Sequence, residues 1–187
     1  MWATFQRNLG RMLGYAIIID IGYSLLAISQ PEGLTIYIGM LLPRILAYGI
    51  WALGLSLILE QVGDLNFRSV QGLGRQIPII ILGVLVANFS LAGFPLLASF
   101  PFLLSFWNHL AQSATLLALL VLLSSAGLLI GALRSLAVFV MGPKNINALV
   151  YQNSRASELL LLLGVLAIIF TGIFPNWVYR LISIGAP

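Results

Sequence analysis

Six windows of mostly apolar residues, each about the length of one bilayer crossing, constrain this chain more than any other feature. They run roughly over 11–29, 34–60, 77–92, 96–111, 114–140 and 158–174. Pro31, Glu32 and Gly33 end the first window, Pro43 falls inside the second, and Pro175 ends the sixth. Hydrophobic residues make up 60% of the 187 residues and charged residues only 7%. A soluble domain of this size has too little interior to hide that much apolar surface, and the mean hydropathy of +1.06 agrees. The expected fold is an all-α, multi-pass membrane protein: a bundle of six transmembrane helices, one of them interrupted by proline, forming a single membrane domain over residues 1–187.

Two polar stretches connect the windows. "QVGDLNFRSVQGLGRQ" (61–76) is expected to lie on the membrane surface with Leu65, Phe67, Val70 and Leu73 toward lipid. "MGPKNINALVYQNSRAS" (141–157) is the second connection, and residues 176–187 read as a short amphipathic tail anchored by Trp177 and Tyr179. Residues 1–14 lack a small-residue cleavage site after a short apolar core, so they are not read as a signal peptide. The net charge is +4, but the basic residues are scattered and form no nucleic-acid patch. Arg7, Arg11, Arg68, Arg75 and Arg180 would share one face and Lys144 and Arg155 the other, which favours cytoplasmic termini. There are no cysteines, so disulfides and thiolate metal sites are excluded.

Ionisable residues inside the spans carry the most information, because each costs several kcal/mol at the bilayer centre unless paired or hydrated (about 3 on insertion scales). Asp20, Arg44, His109 and Arg134 are the four candidates for an intramembrane polar network. One reading makes them a proton or ion path. The preferred reading pairs Asp20 with Arg44, or bonds both to partner chains, and lets His109 and Arg134 reach the interface. Arg44 carries protons poorly in either case, since a guanidinium keeps its proton near neutral pH. A membrane histidine can ligate haem or a pigment, but His109 beside Trp107 and Asn108 reads better as a helix end, and no cofactor is expected. The sequence contains no catalytic triad, phosphate loop, paired carboxylates or metal-ligand cluster, so no catalytic residues are assigned. Small residues that let helix backbones approach are Gly49 and Gly54 in the second window, and Ser124, Ser125, Ala126, Gly127 and Gly131 in the fifth.

Two stretches resemble a known family. "QRNLGRMLGYAIIIDIGYSLLAI" (6–28) is similar to the "Q-x-N-x-K-R-L-L-A-Y-S-S-I-x-H-x-G-Y" pattern of the antiporter-like subunits of respiratory complex I. "VANFSLAGFPLLASFPFLL" (86–104) resembles the family's "S-L-A-G-I-P-P-x-x-G-F-x-G-K-F". Their order, their spacing and the hydropathy profile resemble most the quinone-proximal, N-type subunit. The same fold occurs in cation/proton antiporters and membrane-bound hydrogenases. The resemblance covers the whole chain but only the C-terminal half of the family's bundle, with residues 2–10 similar to the end of its lysine-bearing eighth helix. It implies that Gly93, Pro95 and Pro101 mark a broken helix of the kind transporters place at mid-membrane depth.

The departures from that pattern are specific. Aligning Ser90-Leu91-Ala92-Gly93 puts the family's proton-carrying lysine at Leu103. The "K-R" pair becomes Gly10-Arg11, the histidine before "G-Y" becomes Asp20, and Arg44 falls near a position where relatives often carry lysine. The expectation is therefore a non-catalytic, structural subunit of a larger energy-transducing complex, truncated and without the proton-carrying lysine. It would sit among other integral-membrane subunits and lipids, act within an assembly rather than alone, and reside in a bacterial cytoplasmic membrane or its equivalent. The alternative is a surviving proton path through Asp20, Glu60 and His109; a weaker one is a haem- or pigment-associated subunit using His109.

Overall fold

The computed structural model describes residues 2–30, 33–141 and 155–177. Pro31, Glu32, Lys144, Tyr179 and Arg180, most of the 141–157 connection and the tail beyond Trp177 lie outside the described residues. Within them the chain forms α1 (Trp2–Phe5), α2 (Leu9–Ile28), α3 (Gly33–Val62), α4 (Pro78–Leu91), α5 (Phe100–Ser113), α6 (Thr115–Met141) and α7 (Arg155–Ile173). A single 3₁₀ turn, Leu73–Arg75, precedes α4.

Four helices, α2, α3, α6 and α7, are long and apolar enough to cross a membrane. Helices α4 and α5 have 14 residues each. At 1.5 Å per residue, each spans about 21 Å, short of a hydrocarbon core of about 30 Å. The sequence reading starts the fourth helix near residue 96, whereas α5 begins at Phe100. The intervening residues are occupied by two tight turns. Pro43, by contrast, lies inside the continuous α3.

Packing follows from where side chains are missing. A Cβ at Gly54 of α3 would overlap Val84 of α4, and one at Gly83 would lie 3.0 Å from a Leu161 methyl of α7. Gly164 faces Ile50 more closely still, so that a Cβ there would overlap it, and α3, α4 and α7 meet backbone against side chain. This is how membrane helices associate when lipid offers no hydrophobic drive. Of the residues expected to serve this purpose, Gly54, Ser125, Gly127 and Gly131 are buried, Ser124 is half-buried, and Gly49 and Ala126 are exposed. Two clusters fill the interior. The larger is built around Trp51, Ile58, Ile80, Val84 and Leu161. The smaller joins Tyr23, Met40, Leu103, Phe106, Leu110 and Val121 from α2, α3, α5 and α6. Outward faces are aliphatic, as lipid requires: Ile18, Ile21 and Leu25 on α2, Leu119 on α6, and Leu163 and Leu166 on α7.

The 61–76 connection corrects an expectation. Phe67, Val70 and Leu73 are buried in the larger cluster, with Leu65 packed against it, rather than turned toward lipid. Hydrogen bonds pull the segment inward. Leu9 N donates to Leu65 O at 3.0 Å and Phe67 N to Arg7 O at 2.8 Å, while Gly72 N reaches Val138 O at 3.1 Å. The segment therefore plugs one end of the bundle between α2 and α6.

Candidate functional site

Helices α2 and α3 are consecutive in the chain and pack together, which brings position 20 beside position 44. Arg44 Nε lies 2.7 Å from Asp20 Oδ1, a direct ion pair inside the bundle. The guanidinium side chain is 7% exposed and the carboxylate 22%. Arg44 Nη1 donates to Ser24 Oγ at 3.0 Å. Ser24, one turn along α2, donates in turn to the backbone carbonyl of Asp20 at 2.9 Å. Met40 Sδ sits 3.7 Å from Arg44 Nη2. Beside the pair, Tyr23 donates its phenolic hydrogen to Val121 O at 3.1 Å, tying α2 to α6. A carboxylate held this way faces a cation that never deprotonates near neutral pH. The arrangement can neutralise charge and fix the register of α2 on α3.

The second element is the break between α4 and α5. Gly93 has φ +79°, Phe94 N donates to Phe89 O at 3.0 Å and Gly93 N to Ser90 O at 3.0 Å. These two bonds around a left-handed glycine form the Schellman helix stop, and the Phe89–Phe94 edge contact at 5.4 Å supplies its usual apolar clasp. Pro95 then cannot continue the helix. Leu97 N donates to Phe94 O at 3.3 Å across a turn whose third residue, Leu96, has φ +71°, as a type II turn requires. Pro101 falls in the first turn of α5, where a missing N–H costs nothing. The buried hydroxyls of Ser90 and Ser99 lie 3.3 Å apart and bridge the break. Leu103 is buried, 3% exposed, in the smaller cluster with Phe102 and Phe106. A Cβ on Gly93 would come within 3.0 Å of a Leu103 methyl.

The other two members of the expected network stand apart. Arg134 donates to the backbone carbonyl of Thr4 and lies 5.5 Å over the ring of Phe67, at the plugged end of the bundle. His109 is exposed on α5, and Glu60 is exposed near the end of α3. Asp20 and Arg44 alone are brought into contact. Among the described residues no cluster of His, Asp and Glu could hold a metal ion. Outside the spans, Asp64 folds the plug. Its carboxylate accepts from Ser69 Oγ at 2.7 Å, from Asn66 Nδ2 at 2.9 Å and from Leu65 N at 2.7 Å. The bonds from Ser69 and Asn66 hold its pKa below the ordinary carboxylate value.

A family described as "NADH:quinone oxidoreductase/Mrp antiporter, TM" matches residues 1–126, two thirds of the chain. The chain belongs to this antiporter family. Similar relatives include NADH-quinone oxidoreductase subunit N 2 of Thermodesulfovibrio yellowstonii, 30% identical over 179 residues. NADH-quinone oxidoreductase subunit N of Ectopseudomonas mendocina is 29% identical over 195 residues. These matches cover 93% and 98% of this chain but only 38% and 39% of the relatives. The fold resembles a chain of the membrane-bound sulfane sulfur reductase, an archaeal respiratory membrane complex, with TM-score 0.86 and 22% identity. That match covers 97% of this chain and 37% of the other. A chain of respiratory complex I from Thermus thermophilus gives TM-score 0.71 at 21% identity, covering 93% and 40%.

In this antiporter-family chain, sequence reasoning missed several polar contacts that the fold creates. Ser24 and Met40 stand four residues from Asp20 and Arg44, so helical spacing offers them as partners once the pair is assumed. The Tyr23–Val121 bond and the Arg134–Thr4 bond join residues 98 and 130 positions apart, and no local pattern announces them. The helix stop at Gly93 was legible as "AGFP", a glycine at the end of an apolar run followed two residues later by proline.

Proposed function

We propose that this chain is a structural, non-pumping subunit of a larger energy-transducing complex, held in a bacterial cytoplasmic membrane or its equivalent. One observation carries the reading: the intramembrane carboxylate is closed off by an ion pair with Arg44 rather than left facing a titratable neighbour. Leu103, at the position where the resemblance expects a proton-carrying lysine, supports it from the other side, since a leucine in an apolar cluster can neither hold nor release a proton. The separation of His109 and Glu60 from the pair argues in the same direction. On this reading the broken-helix geometry is retained for shape. Its partners are other integral-membrane subunits, and redox chemistry belongs to them.

The test compares pumping with assembly in membranes carrying the complex. Asp20→Asn alone strands a buried guanidinium, so the informative variant is the double replacement Asp20→Leu/Arg44→Met, which removes both charges together. Proton translocation per turnover should stay at the wild-type level with the complex intact. Intact complex with translocation abolished would mean that Asp20 belongs to a working path.

A further inference from the structure

Two hydrogen-bond donors are sealed inside the bundle, on α3 and α4, without an acceptor. Trp51 is 0% exposed and Asn88 1%. Among the described residues, neither the Trp51 indole Nε1 nor the Asn88 amide Nδ2 has a hydrogen-bond partner. A buried donor left unpaired gives up its bonds to solvent and gains nothing in return, so folded proteins seldom keep one.

Helix register brings the two together. Gly54 of α3 meets Ile80 and Val84 of α4, and Ile50 meets Gly83, so the helices run antiparallel. Trp51 lies one turn back from Gly54, and Asn88 one turn on from Val84. In an antiparallel pair those two steps go the same way, which puts both residues at one level. They also share a flank. Helix α7 covers the side of Ile50 and Gly83 with its Gly164 and Leu161. At about 100° per residue, Trp51 is turned about 100° from Ile50 and Asn88 about 140° from Gly83, so both face away from α7 and into the bundle. At this level Ala47 and Ala87, both fully buried, keep the neighbouring side chains short.

We propose that a single water molecule is bound there, accepting from Trp51 Nε1–H and Asn88 Nδ2–H and so joining α3 to α4. Its oxygen offers two acceptor sites in the smallest volume, and buried waters commonly serve polar groups of this kind. An anion would need a counter-charge, and the buried guanidinium of Arg44 is already neutralised by Asp20. An indole N–H only donates, and a carboxamide does not ionise near neutral pH, so the water is a fixed strut and not a proton relay. Asn88 sits in the last turn of α4, where its carbonyl accepts from Ala92 N at 3.1 Å as the helix closes. The water ties that turn to α3 just before the chain breaks at Gly93. The site is built from this chain alone, whatever the protein assembles with.

A structure of the wild-type protein that shows ordered waters tests the site directly. The expected result is one peak within about 2.7–3.2 Å of both nitrogens. An indole N–H bonded straight to the Asn88 carboxamide oxygen, or no peak between the two, would overturn the proposal. Thermal unfolding in detergent gives an independent test with Trp51→Phe, Asn88→Leu and the double variant. Each single replacement strands the other donor, so the double variant should lose no more Tm than the more damaging single one. Additive losses would rule out a shared water.

Discussion

The Asp20–Arg44 pair and the Leu103 contact are two opposite solutions to filling the same bundle. At the first, two full charges are taken out of water and balanced at 2.7 Å, with Ser24 and Met40 around the guanidinium. At the second, an opened helix, the usual place for a charge in a transporter, is packed with a leucine and two phenylalanines. The difference lies in what each site can tolerate losing. An ion pair fails when one member goes, because the other is left buried and alone. An apolar contact fails when a charge arrives. A site meant to pass protons needs tolerance of both states, and the proposed structural role is that neither of these sites provides it.

The sharpest way to break the comparison is to remove half of the pair. Asp20→Leu should cost about 3–5 kcal/mol of stability, the range for an orphaned buried charge. Thermal unfolding in detergent measures it, and Asp20→Leu/Arg44→Met should recover most of the loss. Recovery failing entirely would mean that the two residues do not act as a pair. Next in size, Leu103→Lys should cost about 3 kcal/mol by placing an amine in a sealed apolar cluster. The isosteric Leu103→Met should stay within about 1.5 kcal/mol of wild type. A lysine accommodated there without loss would show that the break still has room and water for a charge.

Smaller effects sharpen the account of the break itself. Gly93→Ala puts a Cβ on a left-handed residue that also touches Leu103, and should cost about 1–2 kcal/mol. Leu96 holds a positive φ that glycine would adopt freely, so Leu96→Gly should be neutral or mildly stabilising, by up to about 1 kcal/mol. Equal destabilisation by both would contradict the turn geometry. The smallest effect is the pH response of the plug. Asp64 is held below its ordinary pKa by Ser69 and Asn66, so its contribution is complete above the ordinary carboxylate range. It is lost as pH falls through the depressed native value. Amide exchange at Leu65 and Asn66 should accelerate over that acidic window, and Asp64→Ala should abolish the response.

Much of this architecture was legible because membranes leave few choices. Long apolar runs predicted the helices now seen as α2, α3, α6 and α7, and intramembrane charges at 20 and 44 invited pairing. What the pattern could not reveal was which apolar side chains face protein. Phe67, Val70 and Leu73 read as lipid-facing because a short amphipathic segment looks alike whether its apolar side meets acyl chains or helix ends. The backbone bonds to Arg7, Leu9 and Val138 that decide the matter are long-range. The partner of Arg134, the candidate that stands apart from the Asp20–Arg44 pair, was hidden for a related reason. Arg134 finds the Thr4 carbonyl at the opposite end of the sequence, a partner that no window around residue 134 contains.

Gly172, near the end of α7, lies against the backbone of Leu96 and Leu97, where any Cβ would collide with the Leu96 carbonyl. Helix α7 thus serves as a doorstop for the opened turn. Whatever enlarges position 172 would shove that turn sideways and shift the exposed edge of α5 carried behind it. A single missing methyl at position 172 sets how α5 is offered to its neighbours.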